Sequence, residues 1–190
     1  MSAVWATSIV LQWVVIGLLC GVVVSMLRQF GALAAPVDAS APGTPVEVHE
    51  VHLIDEGTFI FGGVRPQPTL AVFLSPGCAT CHEAAAQVRR LREAHGELSL
   101  LVVVDGEPEQ ARTYVDEMGL GDMQVALMRD FPARYAPGGG TPFALALAPG
   151  GSVAMRGSGR TYEELEELVR RASATRSGGT YELSIVEVAS

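Results

Sequence analysis

The sequence predicts an α/β domain built on one mixed sheet with helices on both faces, preceded by a single N-terminal transmembrane helix. Three observations lead there. Residues Val4 to Leu27 form an apolar run without a charge. Beyond Pro45, short Val-, Ile- and Leu-rich runs alternate with helical patterns, as in parallel βαβ units. The last two strands flank Pro149-Gly150-Gly151, a hairpin signal that adds an antiparallel edge.

The N-terminal run contains one interior amide, Gln12. At about 1.5 Å per residue it spans a hydrocarbon core of roughly 30 Å. Trp5 fits an interfacial ring, whereas Trp13 falls well inside the bilayer. A cleaved signal peptide is the rival, with Ala32-Leu33-Ala34 as a small-x-small site. No Lys or Arg precedes the run, and it exceeds the ~7–15 residues of a signal core, so an uncleaved anchor is expected. A buried soluble helix would carry a polar stripe, and none is present. Arg28 is the flanking charge, a slight lean toward a cytoplasmic C-terminal side. Gly31 to Pro45 is rich in Ala, Pro, Gly and Ser and reads as a tether. The expected division is anchor 1–30, tether 31–45, folded domain 46–172 and tail 173–190.

Within the domain, Val46 to Ile54 reads as a first strand and Thr58 to Phe61 as a short second one. Thr69 to Leu74 is a compact apolar run suited to a central strand. Cys78 to His95 lacks Gly and Pro and keeps small or apolar residues at helical spacing through Ala84, Ala85, Val88 and Leu91. Leu98 to Val104 is a buried strand, and Pro108 opens a helix that Gly119 closes. A short strand follows at Gln124 to Met128, then a helical turn at Phe131 to Tyr135 and a loop at Pro137 to Gly140. Thr141 to Leu147 and Ser152 to Arg156 form the hairpin. Thr161 with Glu164 has capping-box spacing ahead of a last helix, Tyr162 to Ala172. The tail ends in an alternating segment, Tyr181 to Val188, that suits an edge strand or a disordered end.

The formal net charge is −8, and no basic cluster interrupts it, which argues against nucleic acid as a partner. Three cysteines are too few for a disulfide framework. Cys20 lies in the apolar run as a small hydrophobe. That leaves Cys78 and Cys81, where Thr69-Leu-Ala-Val-Phe-Leu-Ser-Pro-Gly runs into a helix. Such a pair closes a small disulfide ring, and the helix end stabilises the first sulfur as a thiolate. The chemistry it suits is thiol–disulfide exchange, with Cys78 attacking and Cys81 resolving.

These residues, with Thr141-Pro142 about sixty positions later and then a hairpin and helix, resemble the thioredoxin fold over about residues 46 to 172. The resemblance implies a cis proline beside the disulfide and a groove at Thr141 and Pro142 that pairs with client backbone. The anchor, Arg28-Gln29-Phe30-Gly31 and Phe-Leu-Ser-Pro-x-Cys-x-x-Cys look most like MauD-type accessory proteins of methylamine utilisation, within the wider TlpA-like group. That likeness implies exchange on the periplasmic side of the cytoplasmic membrane, serving a disulfide-containing client such as an amine dehydrogenase small subunit. It implies a protein client and a redox partner, and no cofactor or metal. Disulfides also persist on that side, which outweighs the lean from Arg28.

Two positions depart from thioredoxins: Gly77 stands in place of Trp, and Val72 in place of a buried acid. Glu83 and His82 are candidates to replace the acid, although solvated surface roles suit both. Cys78-Ala-Thr-Cys81-His82 also matches a c-type haem motif, with Met118, Met123, Met128 or Met155 as a second ligand. Zinc would need two further ligands, and His49, His52 and His95 are scattered, the first two read as exposed strand residues. A different class of reading is a client-binding module that keeps the fold without turnover.

Overall fold

The computed structural model describes residues 12, 13, 15–19, 41–136 and 140–175. Two compact units divide the chain, Met1–Asp38 and Ala39–Ser190. In the first, the described residues are helical and exposed. No helix among the described residues is long and apolar enough to cross a membrane. Most of the expected Val4–Leu27 span, most of the tether and the tail segment Tyr181 to Val188 lie outside them.

The second unit is organised by β3, Thr69–Leu74, which is buried at every position. A strand covered on both faces has no room for polar alternation, which explains its continuous apolar run. It pairs in parallel with β4, Ser99–Val104, and antiparallel with β6, Phe143–Leu147. Outside these lie β5, Gln124–Leu127, and β7, Val153–Gly157, giving the order β5-β4-β3-β6-β7. Three helices complete the frame: α1, Ala79–Ala94, α2, Pro108–Met118, and α3, Tyr162–Ala174.

The helices do not divide between the two faces as expected. Leu70, Val72 and Leu74 of β3 and Leu100, Val102 and Val104 of β4 share one core with the buried residues of α1, α2 and α3. The physical reason is the strand order. The steps β3 to β4 and β4 to β5 move the same way across the sheet, and right-handed crossovers made in one direction leave their helices on one face. The opposite face, with Ala71, Phe73, Leu101, Val103, Leu145 and Leu147, is covered instead by a separate antiparallel pair. That pair is β1, His49–His52, and β2, Thr58–Phe61, which contribute Val51, Phe59 and Phe61 to the core. Phe131 and Tyr135, from two short 3-10 turns and their flanks, pack edge-on or tilted against Phe61.

β1 is also shorter than the expected Val46 to Ile54. Val46 N–H donates to Gly151 O at 2.8 Å and Gly43 N–H to Val153 O at 2.7 Å, so this segment follows the β6–β7 turn before β1 begins. The crossing is close: Gly62 has φ +85°, and a Cβ there would collide with the Glu47 carbonyl. His49, expected to be exposed, is half-buried, with its ring edge-on to Tyr135 at 5.8 Å.

Candidate active site

Both cysteines are placed by the end of β3. The chain leaves the strand at Leu74 and turns through Ser75-Pro76-Gly77, where Cys78 N–H donates to Ser75 O at 3.1 Å. Asp105 N–H donates to Leu74 O at 2.8 Å, and Ser75 Oγ donates to Asp105 O at 3.3 Å, tying the loop to the end of β4. The site thus lies beyond the carboxyl ends of the parallel strands, a recurrent place for function in α/β sheets.

Cys78 is the N-cap of α1, in extended backbone at φ −106° and ψ 109°, and no side chain caps the helix. The first turn of α1 holds no acidic residue, so the positive end of its dipole is left for the sulfur. Cys78 and Cys81 are joined as a disulfide, with Cα atoms 5.2 Å apart. Cys78 is half-buried, whereas Cys81 is 0% exposed. A Cβ on Gly77 would meet nothing within 4 Å, so the space before Cys78 is open where thioredoxins carry Trp.

The Thr141–Pro142 bond is cis. β6 begins just afterward, and the register Phe73↔Phe143 sets its start beside the end of β3. The strand starts at Phe143 and not at Thr141, as proline has no N–H for a ladder. The Thr141 carbonyl oxygen consequently lies 3.4 Å from Cys78 Sγ. All four residues expected from the sequence are brought together.

Three further groups surround the pair. Thr80 Oγ1 lies 3.2 Å from Cys78 Sγ. The buried Tyr114 hydroxyl, on α2, donates to Cys81 O at 2.9 Å, and burial pushes its pKa up to about 12. His82 is exposed, its Nε2 is 3.1 Å from Pro76 O, and its ring meets Tyr114 edge-on at 5.3 Å. Sequence reasoning missed Thr80 and Tyr114. Thr80 was visible inside the motif; Tyr114 carries no local signal, being 33 positions from Cys81. Val72, at the position of the missing acid, is fully buried in the same core as Cys81. Among the described residues, no three His, Cys, Asp or Glu side chains gather as a metal site.

A β3–α1 turn bearing the disulfide, a facing cis proline, a hairpin and a last helix decide the architecture. The fold is that of thioredoxin. Solved structures agree. A secreted Mycobacterium tuberculosis disulfide oxidoreductase homologous to E. coli DsbE superposes with a TM-score of 0.54 at 16% identity, covering 66% of this chain and 95% of that one. A thioredoxin-family thiol:disulfide interchange protein from Chlorobium tepidum TLS gives a TM-score of 0.56 at 16% identity, covering 67% and 94%. By sequence, the chain is similar to the methylamine utilization protein MauD of Paracoccus denitrificans, 28% identical over 119 residues. MauD of Methylorubrum extorquens is 26% identical over 112 residues. These alignments take in 62% and 59% of this chain, and only 57% and 52% of the two relatives. No family model matches the chain.

Proposed function

We propose that this chain exchanges disulfides with protein clients outside the cytoplasmic membrane, tethered there by its N-terminal apolar run. The observation that carries the chemistry is the Cys78–Cys81 disulfide at the start of α1, with the cis Thr141–Pro142 backbone 3.4 Å from Cys78 Sγ. In the reducing direction, the Cys78 thiolate attacks a client disulfide. A Cys78–client bond forms, the client bond breaks, and the client's other sulfur leaves as a thiolate. Cys81 then gives its proton to solvent and attacks Cys78 Sγ. The Cys78–Cys81 bond forms and the second client sulfur leaves, so two electrons pass to the client. Reversal oxidises a client dithiol. Thr141, lying ahead of β6, offers an extended client segment a strand to pair with.

The apolar run from Val4 to Leu27 supports the tether, and the similarity to MauD proteins supports a role in maturing a disulfide-containing enzyme such as an amine dehydrogenase subunit. Val72 in place of a buried acid favours a second reading, a client-holding module without turnover. Thiol counts separate the two. The full chain is mixed, reduced, with a disulfide-bonded protein and, oxidised, with a reduced one. Thiols are expected to transfer in the parent, to stay put in Cys78→Ser, and to stop at a mixed disulfide on Cys78 in Cys81→Ser. Exchange by Cys78→Ser at the parent rate would refute the assignment. Client retention with no thiol transfer by the parent would establish the holding module.

A further inference from the structure

Cys78 Sγ sits between a donor and an acceptor. On one side is the Thr80 hydroxyl at 3.2 Å; on the other is the Thr141 carbonyl oxygen at 3.4 Å. In the disulfide Cys78 carries no hydrogen, so the hydroxyl is the donor toward it. The carbonyl can only accept. The two neighbours therefore rank the states of the sulfur in opposite ways. A thiol can donate to Thr141, but S–H is a weak donor. A thiolate is repelled by that oxygen and accepts from Thr80 in a charge-assisted bond, about twice as strong as a neutral one. The stronger bond belongs to the anion.

We infer that Thr80 is a catalytic residue whose hydroxyl holds the Cys78 thiolate and tunes this centre toward donating disulfides. The inference rests on Cys78 being the exchanging sulfur. Thr80 is the second residue of α1, two positions beyond the Cys78 N-cap, which sets its hydroxyl beside Cys78 Sγ. An N-cap acceptor ordinarily takes the backbone N–H groups of the second or third helical residue. No such side-chain cap forms in the disulfide, and the thiolate is the species able to take it up. When a client dithiol is oxidised, its second thiolate attacks the client sulfur of the mixed disulfide. The client disulfide forms, the Cys78–client bond breaks, and Cys78 leaves with the electron pair. Thr80 donates to the charge that develops there.

Besides the Cys81 thiol of the reduced chain, the titratable groups on the surrounding elements are His82 and Glu83 on α1, Asp105 after β4 and Tyr114 on α2. His82 pairs with Pro76 O and Tyr114 with Cys81 O. All four stay unchanged when Thr80→Val, which keeps the shape and removes the hydroxyl, is compared with Thr80→Ser, which keeps the hydroxyl. Two readouts on the reduced full chain need no client: thiolate ultraviolet absorbance against pH, and the equilibrium with glutathione. In Thr80→Val the Cys78 titration is expected to move up by about one pH unit. The disulfide equilibrium is expected to shift about tenfold toward the oxidised chain, about 30 mV more negative in potential. Thr80→Ser is expected to follow the parent in both. A valine variant that titrates and equilibrates like the parent would overturn the inference. The shift in Thr80→Val, found together with a parent chain that transfers no thiols to proteins, would keep the Thr80–thiolate bond and sink the proposed function instead.

Discussion

The buried phenol of Tyr114 links α2 to the cysteine motif through a single hydrogen bond to Cys81 O at 2.9 Å. Burial raises its pKa from 10.0 to about 12, since a phenolate has no water there. The folded state thus holds this proton more tightly than the unfolded chain. Its contribution is complete below the ordinary phenol range, falls as pH rises from 10.0, and is lost through about 12. Tyr114→Phe should cost about 1 kcal/mol at neutral pH. It should also flatten the loss of stability in strong alkali, measured by denaturant unfolding at both pH values. An unchanged alkaline slope would contradict this account. At this scale Cys78 and Cys81 were legible from their spacing at a helix start, and Thr141 and Pro142 only through the resemblance to the thioredoxin fold. Tyr114 was not, because a contact between residues 81 and 114 exists only once two helices lie on one sheet face.

Among the elements, α3 was the most fully specified. Thr161 Oγ1 accepts from Glu164 N–H at 3.3 Å, and Glu164 Oε2 accepts in return from Thr161 N–H at 3.4 Å. Thr161→Ala should lower stability by about 1 kcal/mol in thermal or denaturant unfolding. The Ser158 hydroxyl, then the backbone N–H groups of Arg160 and Thr161, hold the Glu164 carboxyl below its usual range. Its contribution is present above the ordinary carboxylate pKa and is lost as pH falls through the lowered one. Glu164→Gln should remove that acid limb, and an unaltered limb would assign it to other groups. The strands were legible in position but not in company. β1 lost its ends because residues 43 to 46 found partners at the β6–β7 turn. Hydrophobic patterning reports which face of a strand is covered, not what covers it.

For the whole molecule, the covering of the second sheet face is what the chain adds to its helical side. The β1–β2 pair closes that face through Val51, Phe59 and Phe61, so the site end of the sheet is left to the β3–α1 turn and the loop ahead of β6. On the proposed topology this domain stands outside the cytoplasmic membrane. Protease added to intact spheroplasts should then remove the folded domain and leave a short membrane-bound N-terminal fragment. Full protection would mean that the slight bias from Arg28 sets the orientation.

The local chemistry of this protein was written in its sequence. Apolar runs long enough for strands, a proline and glycine to bracket α2, a capping box for α3 and a Cys-x-x-Cys pair at a helix start all depend on neighbours within a few positions. The tertiary structure decided what depends on strand order. Two crossovers in one direction placed α1 and α2 on one face, where α3 joined them after the hairpin; the other face was left to a two-stranded pair, and residue 141 came to residue 78. No local pattern encodes that approach, because it arises from antiparallel pairing of β6 with β3, whose partners lie some seventy residues apart.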